Sequence, residues 1–277
     1  MPELPEVELI SRSLNLLVAG RTIRSASLLR DRLAPGTPPE IFASRLEFSR
    51  INFVHRRGKH ILFDLSEDQT LMVHLRMSGR FSLLNRDDEN PKFTHAVFFL
   101  EDGERLVFDD QRHFGYMKIA GTQELPHTKE LSKLAPEPFS DGFSPEYLYR
   151  VCRASRRSLK ELLLDQTKVC GLGNIYACEA MFMAGADPRK PSTRMSKARA
   201  TELHRCIRAV LSAAIGHAES RTVDPTNLEG SYFSGLADAS WFVYDRENED
   251  CLSCKDLIRR VKQGSRSTFF CIKCQKR

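Results

Sequence analysis

Apolar residues at the start of the chain recur at helical spacing. Val7, Ile10, Leu14, Leu17 and Val18 fall on one stripe, and Pro5 and Glu6 stand where a helix begins. The pattern predicts an amphipathic helix. From about 22 to 120 the texture changes to short apolar runs divided by turns. Residues 59–65, 70–75, 96–100 and 105–108 read as strands. Glu101-Asp102-Gly103-Glu104 reads as a hairpin turn, and Ser66-Glu67-Asp68-Gln69 as another. Strands of this length and number suggest a β-sandwich or a small barrel. A stretch holding Pro126, Pro136, Pro138, Ser140, Gly142 and Pro145 reads as a linker. Beyond it the pattern is helical, most clearly at about 196–217, where Leu203, Ile207, Val210, Leu211, Ala214 and Ile215 form one stripe.

The fold class expected is therefore α+β and multidomain. A β-rich part (1–133) comes first, then a helical part (134–240), then a small cysteine-bearing hairpin (241–277). At 277 residues the chain is long enough for two cores plus such a module. No apolar run approaches the ~20 residues of a membrane span. The residues before Leu14 are acidic rather than basic, so no signal peptide is expected, and the expected setting is the reducing cytoplasm.

Chemistry concentrates at the two ends. Cys251-x2-Cys254 and Cys271-x2-Cys274 set two thiols on each of two turns. Four thiolates so spaced suit one tetrahedral Zn(2+), and two disulfides or four unrelated buried thiols are the alternatives. The absence of a secretory leader favours zinc. Residues 251–277 hold eight Lys or Arg against one acid, Asp256, which is +7, while the whole chain carries +6. All the excess positive charge thus sits on this hairpin, which points to nucleic acid.

At the other end, Pro2 follows an initiator methionine that is trimmed when its neighbour is small. A freed α-amino group titrates near ~8, so part of it is neutral and nucleophilic at physiological pH. Beside a carboxylate it is suited to attack a sugar C1′ and to shuttle protons through an imine; a Pro-rich helix cap is the alternative. The cluster His55-Arg56-Arg57-Gly58-Lys59-His60 suits phosphate contacts, and a solvated loop would look the same. Arg156, Arg157, Lys160 and Lys168 lead into Gly171-Leu172-Gly173-Asn174, where glycines before a helix expose backbone N–H groups that bind phosphate. A tight turn is the alternative there.

Taken in order, these segments resemble the bacterial formamidopyrimidine-DNA glycosylases. The resemblance runs from Pro2-Glu3-Leu4-Pro5-Glu6-Val7-Glu8 through Arg56-Arg57-Gly58-Lys59, His74-Leu75-Arg76-Met77-Ser78-Gly79 and Asp110-Gln111-Arg112-His113-Phe114-Gly115. It continues through Gly171-Leu172-Gly173-Asn174-Ile175-Tyr176-Ala177 to the cysteine hairpin, with Arg266 ahead of Thr268-Phe269-Phe270-Cys271. The resemblance implies an N-terminal β-sandwich domain with an N-terminal helix, a helix-two-turns-helix domain and a zinc-finger β-hairpin. It also implies excision of oxidised purines from double-stranded DNA, with strand nicking, by a monomer. Pro2 would form the Schiff base, Glu3 would exchange protons beside it, Glu6 would support them, and Lys59 would assist against the sugar-phosphate. Asn174, Arg266 and Lys160 would hold phosphates. Met77, Arg112 and Phe114 would fill the gap left by the everted nucleotide. Cys251, Cys254, Cys271 and Cys274 would hold one structural Zn(2+).

The chain departs from the family in three places. Arg76 stands where glycine is usual, and His113 where Arg or Lys is usual. Residues 219–225 read Glu-Ser-Arg-Thr-Val-Asp-Pro where a Gly-Gly-Thr/Ser stretch is typical. The neighbouring readings are an endonuclease VIII-like glycosylase for oxidised pyrimidines and a non-enzymatic lesion-binding protein. Leu4 leans toward the purine branch, since the pyrimidine branch usually has glycine there.

Overall fold

The N-terminal stripe forms helix α1 (Leu4–Val18), which buries Leu4, Val7, Ile10, Leu14 and Val18. Pro5 lies in its first turn, where a missing N–H costs nothing. The Glu6 side chain closes that end by accepting the Glu3 backbone N–H at 2.6 Å. Leu17 is only half-buried, because the stripe faces a sheet rather than a groove.

The computed structural model describes residues 1–219, 224–226, 228 and 241–276. The chain divides into two units, Met1–Ser132 with Ala218–Ala237, and Lys133–His217 with Asp238–Arg277.

In the first unit the strands are β1 (Thr22–Leu28), β2 (Ser49–Arg57), β3 (His60–Leu65), β4 (Gln69–His74), β5 (Gly79–Leu84), β6 (Thr94–Leu100), β7 (Arg105–Asp110) and β8 (Tyr116–Gly121). They form an antiparallel sheet in the order β5-β7-β6-β1-β2-β3-β4-β8. β1 and β2 pair only at Thr22↔Arg50 and Ile23↔Ser49, so the sheet bends at that seam. Phe63 of β3 meets Phe81 of β5 with ring centroids 5.6 Å apart, and Phe81 meets Phe108 of β7 at 5.1 Å. Rings from the two halves share one core, which makes a sandwich. The order does not close on itself, so the barrel alternative falls. Helix α2 (Pro39–Leu46) packs against β1 and buries Phe42, which meets Phe98 of β6 at 6.2 Å.

The second unit holds α3 (Pro145–Arg153), α4 (Leu159–Leu163), α5 (Asn174–Met183), α6 (Lys197–Glu219) and a hairpin of β9 (Ile258–Gln263) with β10 (Arg266–Cys271). Ser144 caps α3 by accepting the Tyr147 N–H at 3.1 Å, so the proline-rich stretch ends in a defined helix start. The hairpin and the helices share one core, with Cys178 and Phe182 of α5 packed with Val243, Cys251, Ile258, Phe269 and Cys271. Glu179 of α5 is buried, and it accepts the backbone N–H groups of Phe242, Val243 and Tyr244 at 2.8, 3.0 and 2.9 Å. Its carboxylate thereby takes up the backbone donors of the segment that enters the hairpin, which would otherwise be buried without partners. No helix among the described residues is long and apolar enough to cross a membrane.

Candidate active site and nucleic-acid interface

Pro2, Glu3 and Glu6 are buried at the start of α1. Two contacts hold that helix along β2. Arg56 Nε donates to Glu8 Oε2 at 2.6 Å, and the Val54 N–H donates to Asn15 Oδ1 at 2.8 Å. They bring the first turns of α1 to the end of β2 that leads into Lys59. Within the basic cluster His55–His60, Arg56 thus has one of its donors engaged by Glu8. Gly58 and Lys59 make a tight turn flanked by the Arg57↔His60 pair. Gly58 has φ +60°, the conformation that the first central position of a type II′ hairpin demands. Lys59 is only 6% exposed, so the turn presents a buried cation rather than a waving surface lysine.

Behind Lys59, the rings of His60 and His74 meet at right angles with centroids 4.7 Å apart. Burial pushes His60 down to about 4, helped by the charge of Arg76 and opposed by a backbone hydrogen bond at Arg57 and by Glu130. Burial also drives His74 well below the usual range, helped by His60, Arg76 and Lys59. Both rings are therefore neutral at physiological pH, and the cations of this corner are lysine and arginine. A histidine whose folded pKa is depressed stabilises the fold fully above the unfolded value near 6.5. That contribution is lost as pH falls through 6.5 toward about 4. For His60 it amounts to about 3 kcal/mol. Denaturant midpoints should thus fall steeply between pH 6.5 and 4.5, and His60→Phe should flatten that fall. An equal slope in both proteins would contradict the assignment.

Met77, Arg112 and Phe114 lie on two turns of the same unit. Met77 is 41% and Phe114 56% exposed, and Arg112 is exposed as well, so none of them belongs to the core. The Arg112 guanidinium lies 5.4 Å from the centre of the Phe114 ring. Asp110, fully buried, builds both turns. Its carboxylate accepts the backbone N–H groups of Arg112 (3.1 Å), Phe114 (2.7 Å) and Gly115 (2.6 Å), and the hydroxyl of Ser78, next to Met77. Burial opposes ionisation, but the bonds from Ser78, Gly115, Arg112 and Phe114 prevail and hold the carboxyl below the usual range. The motif around Asp110 does not by itself assign that residue a role. The available signal was an aspartate two residues before Arg112, the spacing of an Asx turn.

The departures at Arg76 and His113 acquire a physical meaning here. Both residues occupy the left-handed region, at φ +56° and +60°. Glycine would sit there freely, and a side chain costs about 1–2 kcal/mol. The Arg76 N–H is secured by His74 Nδ1 at 3.0 Å. Gly79 admits no substitution, because a Cβ would stand 2.6 Å from the Leu75 carbonyl and 2.7 Å from the Phe108 ring.

In the second unit Asn174 opens α5, and its Nδ2 donates to the Ser267 carbonyl at 3.1 Å, one residue from Arg266. The structure thus brings Asn174 and Arg266 together. Arg266, exposed at the tip of the β9–β10 hairpin, makes no ion pair among the described residues. Lys160 requires a correction. It is 1% exposed, and its Nζ donates to Cys178 Sγ at 3.0 Å and to Thr268 Oγ1 at 3.3 Å. An ammonium enclosed in this way braces β10 against α5 and does not reach a phosphate.

The sulfurs of Cys251, Cys254, Cys271 and Cys274 all lie within 4.8 Å of one another. Cys251 and Cys274 are 3.8 Å apart, and Cys254 and Cys271 3.4 Å. A tetrahedron of Zn–S bonds near ~2.3 Å has edges close to ~3.8 Å. Disulfides would bring the sulfurs to ~2.05 Å, so the donor set fits a metal ion and not two disulfides. Of the expected base-closing segment 219–225, residues 220–223 lie outside the described residues.

Comparisons with known proteins agree from end to end. The family model of the formamidopyrimidine-DNA glycosylase N-terminal domain matches residues 1–117, and that of the formamidopyrimidine-DNA glycosylase H2TH domain matches 134–225. The formamidopyrimidine-DNA glycosylase of Desulforamulus reducens is 38% identical over 279 residues, covering 100% of this chain and 99% of the relative. That of Bacillus licheniformis is 38% identical over 278 residues, covering both chains in full. Among solved structures, Lactococcus lactis Fpg bound to DNA containing N7-benzyl-Fapy-dG superposes with a TM-score of 0.90 at 30% identity, covering 100% of both chains. The same protein with DNA containing an abasic site gives 0.89 at 29% identity, covering 99% of this chain and 100% of that one. The chain belongs to the formamidopyrimidine-DNA glycosylase family.

Proposed function

We propose that this protein is a base-excision-repair DNA glycosylase that removes oxidised purines, 8-oxoguanine and formamidopyrimidines, and then nicks the strand as an abasic-site lyase. The observation that supports the reading is that α1, with Pro2 and Glu3 buried at its start, packs along β2, the strand that leads into the turn bearing the buried Lys59.

In this reading Met1 is removed and the Pro2 nitrogen attacks C1′ of the damaged nucleotide. The glycosidic bond breaks, its electron pair leaves with the base, and the base takes up a proton. Sugar ring opening gives an iminium between Pro2 and C1′. Loss of a C2′ proton then expels the 3′ phosphate, and water releases the enzyme. Glu3 exchanges these protons, while Glu6 holds the Glu3 backbone and so fixes the carboxyl it supports. Lys59 neutralises phosphate close to C1′ without competing for the nucleophile's role. Met77, Arg112 and Phe114 occupy the gap left when the nucleotide flips. Asn174 and Arg266 bind backbone phosphate. The four cysteines hold one Zn(2+), which supplies no reaction chemistry because four thiolates leave no open position.

The test is borohydride trapping on duplexes carrying 8-oxoguanine, a formamidopyrimidine, an oxidised pyrimidine or an abasic site. Adducts should form on both purine lesions and on the abasic site. An adduct on the oxidised pyrimidine alone among the bases would move the protein to the pyrimidine branch. No adduct on any duplex would leave a lesion-binding protein. Lactococcus lactis Fpg has also been solved with DNA containing an oxidised pyrimidine, which is why that arm is included.

A further inference from the structure

We infer that His95 and His113 are positioning residues for the exposed tip that carries Arg112 and Phe114, their ring–ring hydrogen bond holding the tip and opening when both rings are protonated. The inference rests on the gap-filling role proposed for that tip. His95 Nε2 and His113 Nδ1 lie 2.9 Å apart. The ring planes differ by 14° and the centroids are 5.0 Å apart. A centroid separation that exceeds the N···N distance by about one ring diameter describes rings lying side by side in a shared plane, joined through the hydrogen bond. His113 is exposed, flanked by Arg112 and Phe114, and held at φ +60°. His95 is 3% exposed and stands where the β6–β7 register shifts between Thr94 and Ala96. A bulge of this kind re-aims a side chain, and here it directs a buried ring at the strained residue of the tip. Phe93 closes the other side, its ring 6.0 Å from that of His113, with Lys92 over its far face at 5.5 Å.

The bond needs one N–H and one bare nitrogen. When both rings are neutral, either can donate. With one added proton, the charged ring donates to the neutral one, and the bond gains charge assistance. With two added protons, hydrogens face each other and the bond is lost. The charged groups acting on His95 come from β7 (Asp109 and Asp110), from the end of β1 (Arg30) and from the tip (His113). Burial holds His95 below the usual range; Asp110 and Asp109 oppose this, and Arg30 and His113 reinforce it. The Asp109 carboxylate is itself shared with Arg80 at 2.8 and 2.9 Å. The second proton therefore binds only below the ordinary histidine range, and the tip stays anchored at neutral and mildly acid pH. Asp110 anchors the backbone of the same tip, so the histidine pair adds a titratable fastening to a permanent one.

The experiment places 2-aminopurine opposite a tetrahydrofuran abasic analogue in a duplex and reads its fluorescence change at saturating full-length protein. This reports tip insertion and requires no catalysis, so failure of borohydride trapping would overturn the glycosylase reading and leave this readout standing. His113→Leu changes an exposed residue and should shift the insertion equilibrium about fivefold toward the withdrawn state at pH 7.5, the size expected for one hydrogen bond. His95→Gln should do the same, and the double variant should be no worse than either single one. Wild-type insertion should weaken once pH falls well below the ordinary histidine range, and His113→Leu should lack that dependence. Unchanged insertion in His113→Leu, strictly additive effects, or the same pH profile in both proteins would overturn the inference.

Discussion

Pro2→Gly is expected to lose borohydride-trapped adduct by at least ~100-fold while retaining tight binding to a duplex carrying a tetrahydrofuran site. The glycine variant still offers an amine once Met1 is removed, so the loss has to come from what proline adds. A secondary amine condenses to an iminium that has no N–H to give up. It therefore remains cationic at any pH, and remains an electron sink for the departing phosphate. The imine formed from glycine is neutral until it captures a proton, and its amine swings on an unrestricted φ. Geometry adds to the loss. Pro2 is buried directly before the Glu3 cap of α1, and the ring that fills this space is also what aims the nitrogen. Binding should survive because the proposed phosphate contacts of Asn174 and Arg266, and the exposed tips of Met77, Arg112 and Phe114, do not depend on that ring. A matched variant, Glu3→Gln, should slow the reaction by about 10²–10⁴-fold through lost proton transfer, with trapping on a pre-formed abasic site less affected. Full trapping by Pro2→Gly would place the nucleophile elsewhere, with Lys59 the next amine to test. Collapsed binding together with collapsed trapping would mean that the substitution had unfolded the cap. Thermal melting beside the assay separates these outcomes.

Much of this arrangement can be read along the chain, and what cannot has physical reasons. The α1 stripe and the long helix near 196–217 carry helical periodicity, and the strands near 59–65 and 105–108 are short apolar runs buried along nearly their whole length. Each is present with its ends shifted by at most two residues. Strands β1 and β2 are not legible in the sequence because their residues, Thr-Ile-Arg-Ser-Ala-Ser-Leu and Ser-Arg-Ile-Asn-Phe-Val-His-Arg-Arg, mix polar and exposed positions at the bend of the sandwich. Their pairing partners, not their composition, make them strands. Motif residues identify the site as a set, but motifs carry no depth. Lys59 and Lys160 look alike as basic residues near glycine-containing turns. One caps a hairpin beside the chain start, whereas the other is sealed between Cys178 and Thr268. Arg56 and Arg266 are equally indistinguishable in sequence, yet among the described residues only Arg56 has an acidic partner, Glu8. The supporting group Glu179 is not legible for a related reason. It serves backbone N–H groups, and backbone donors leave no mark in a sequence.

Removing metal from the cysteine cluster is expected to unfold the β9–β10 hairpin and to weaken DNA binding by a hundredfold or more. A hairpin of two strands is marginal by itself, whereas a four-thiolate zinc site contributes about 10–16 kcal/mol of apparent binding energy, far beyond what such strands retain alone. The hairpin does have other attachments: the Lys160–Thr268 and Asn174–Ser267 bonds, the Gln275 bond to the Ala186 carbonyl, and the apolar contacts of Phe269 with α5. These join the hairpin to the helices but do not fix the Cys251 and Cys271 turns against each other, and that is the constraint a metal held by the four cysteines would supply. Once those turns separate, Arg266 loses its fixed position and Asn174 loses its partner. Two charge-assisted phosphate contacts at ~1.5–3 kcal/mol each account for the hundredfold. The helical core should persist, since Leu159, Leu162, Tyr176 and Leu211 are buried and none of them belongs to the cluster that holds Ile258, Phe269 and Cys271. Treatment with a chelator, or Cys271→Ser, should therefore give a protein with near-native helix content, rapid amide exchange confined to the hairpin, and a shallower dependence of DNA affinity on salt. Restored zinc should recover binding in the chelated wild type but not in Cys271→Ser. If affinity and its salt slope are unchanged in metal-free protein, the hairpin stands without metal and the zinc assignment fails.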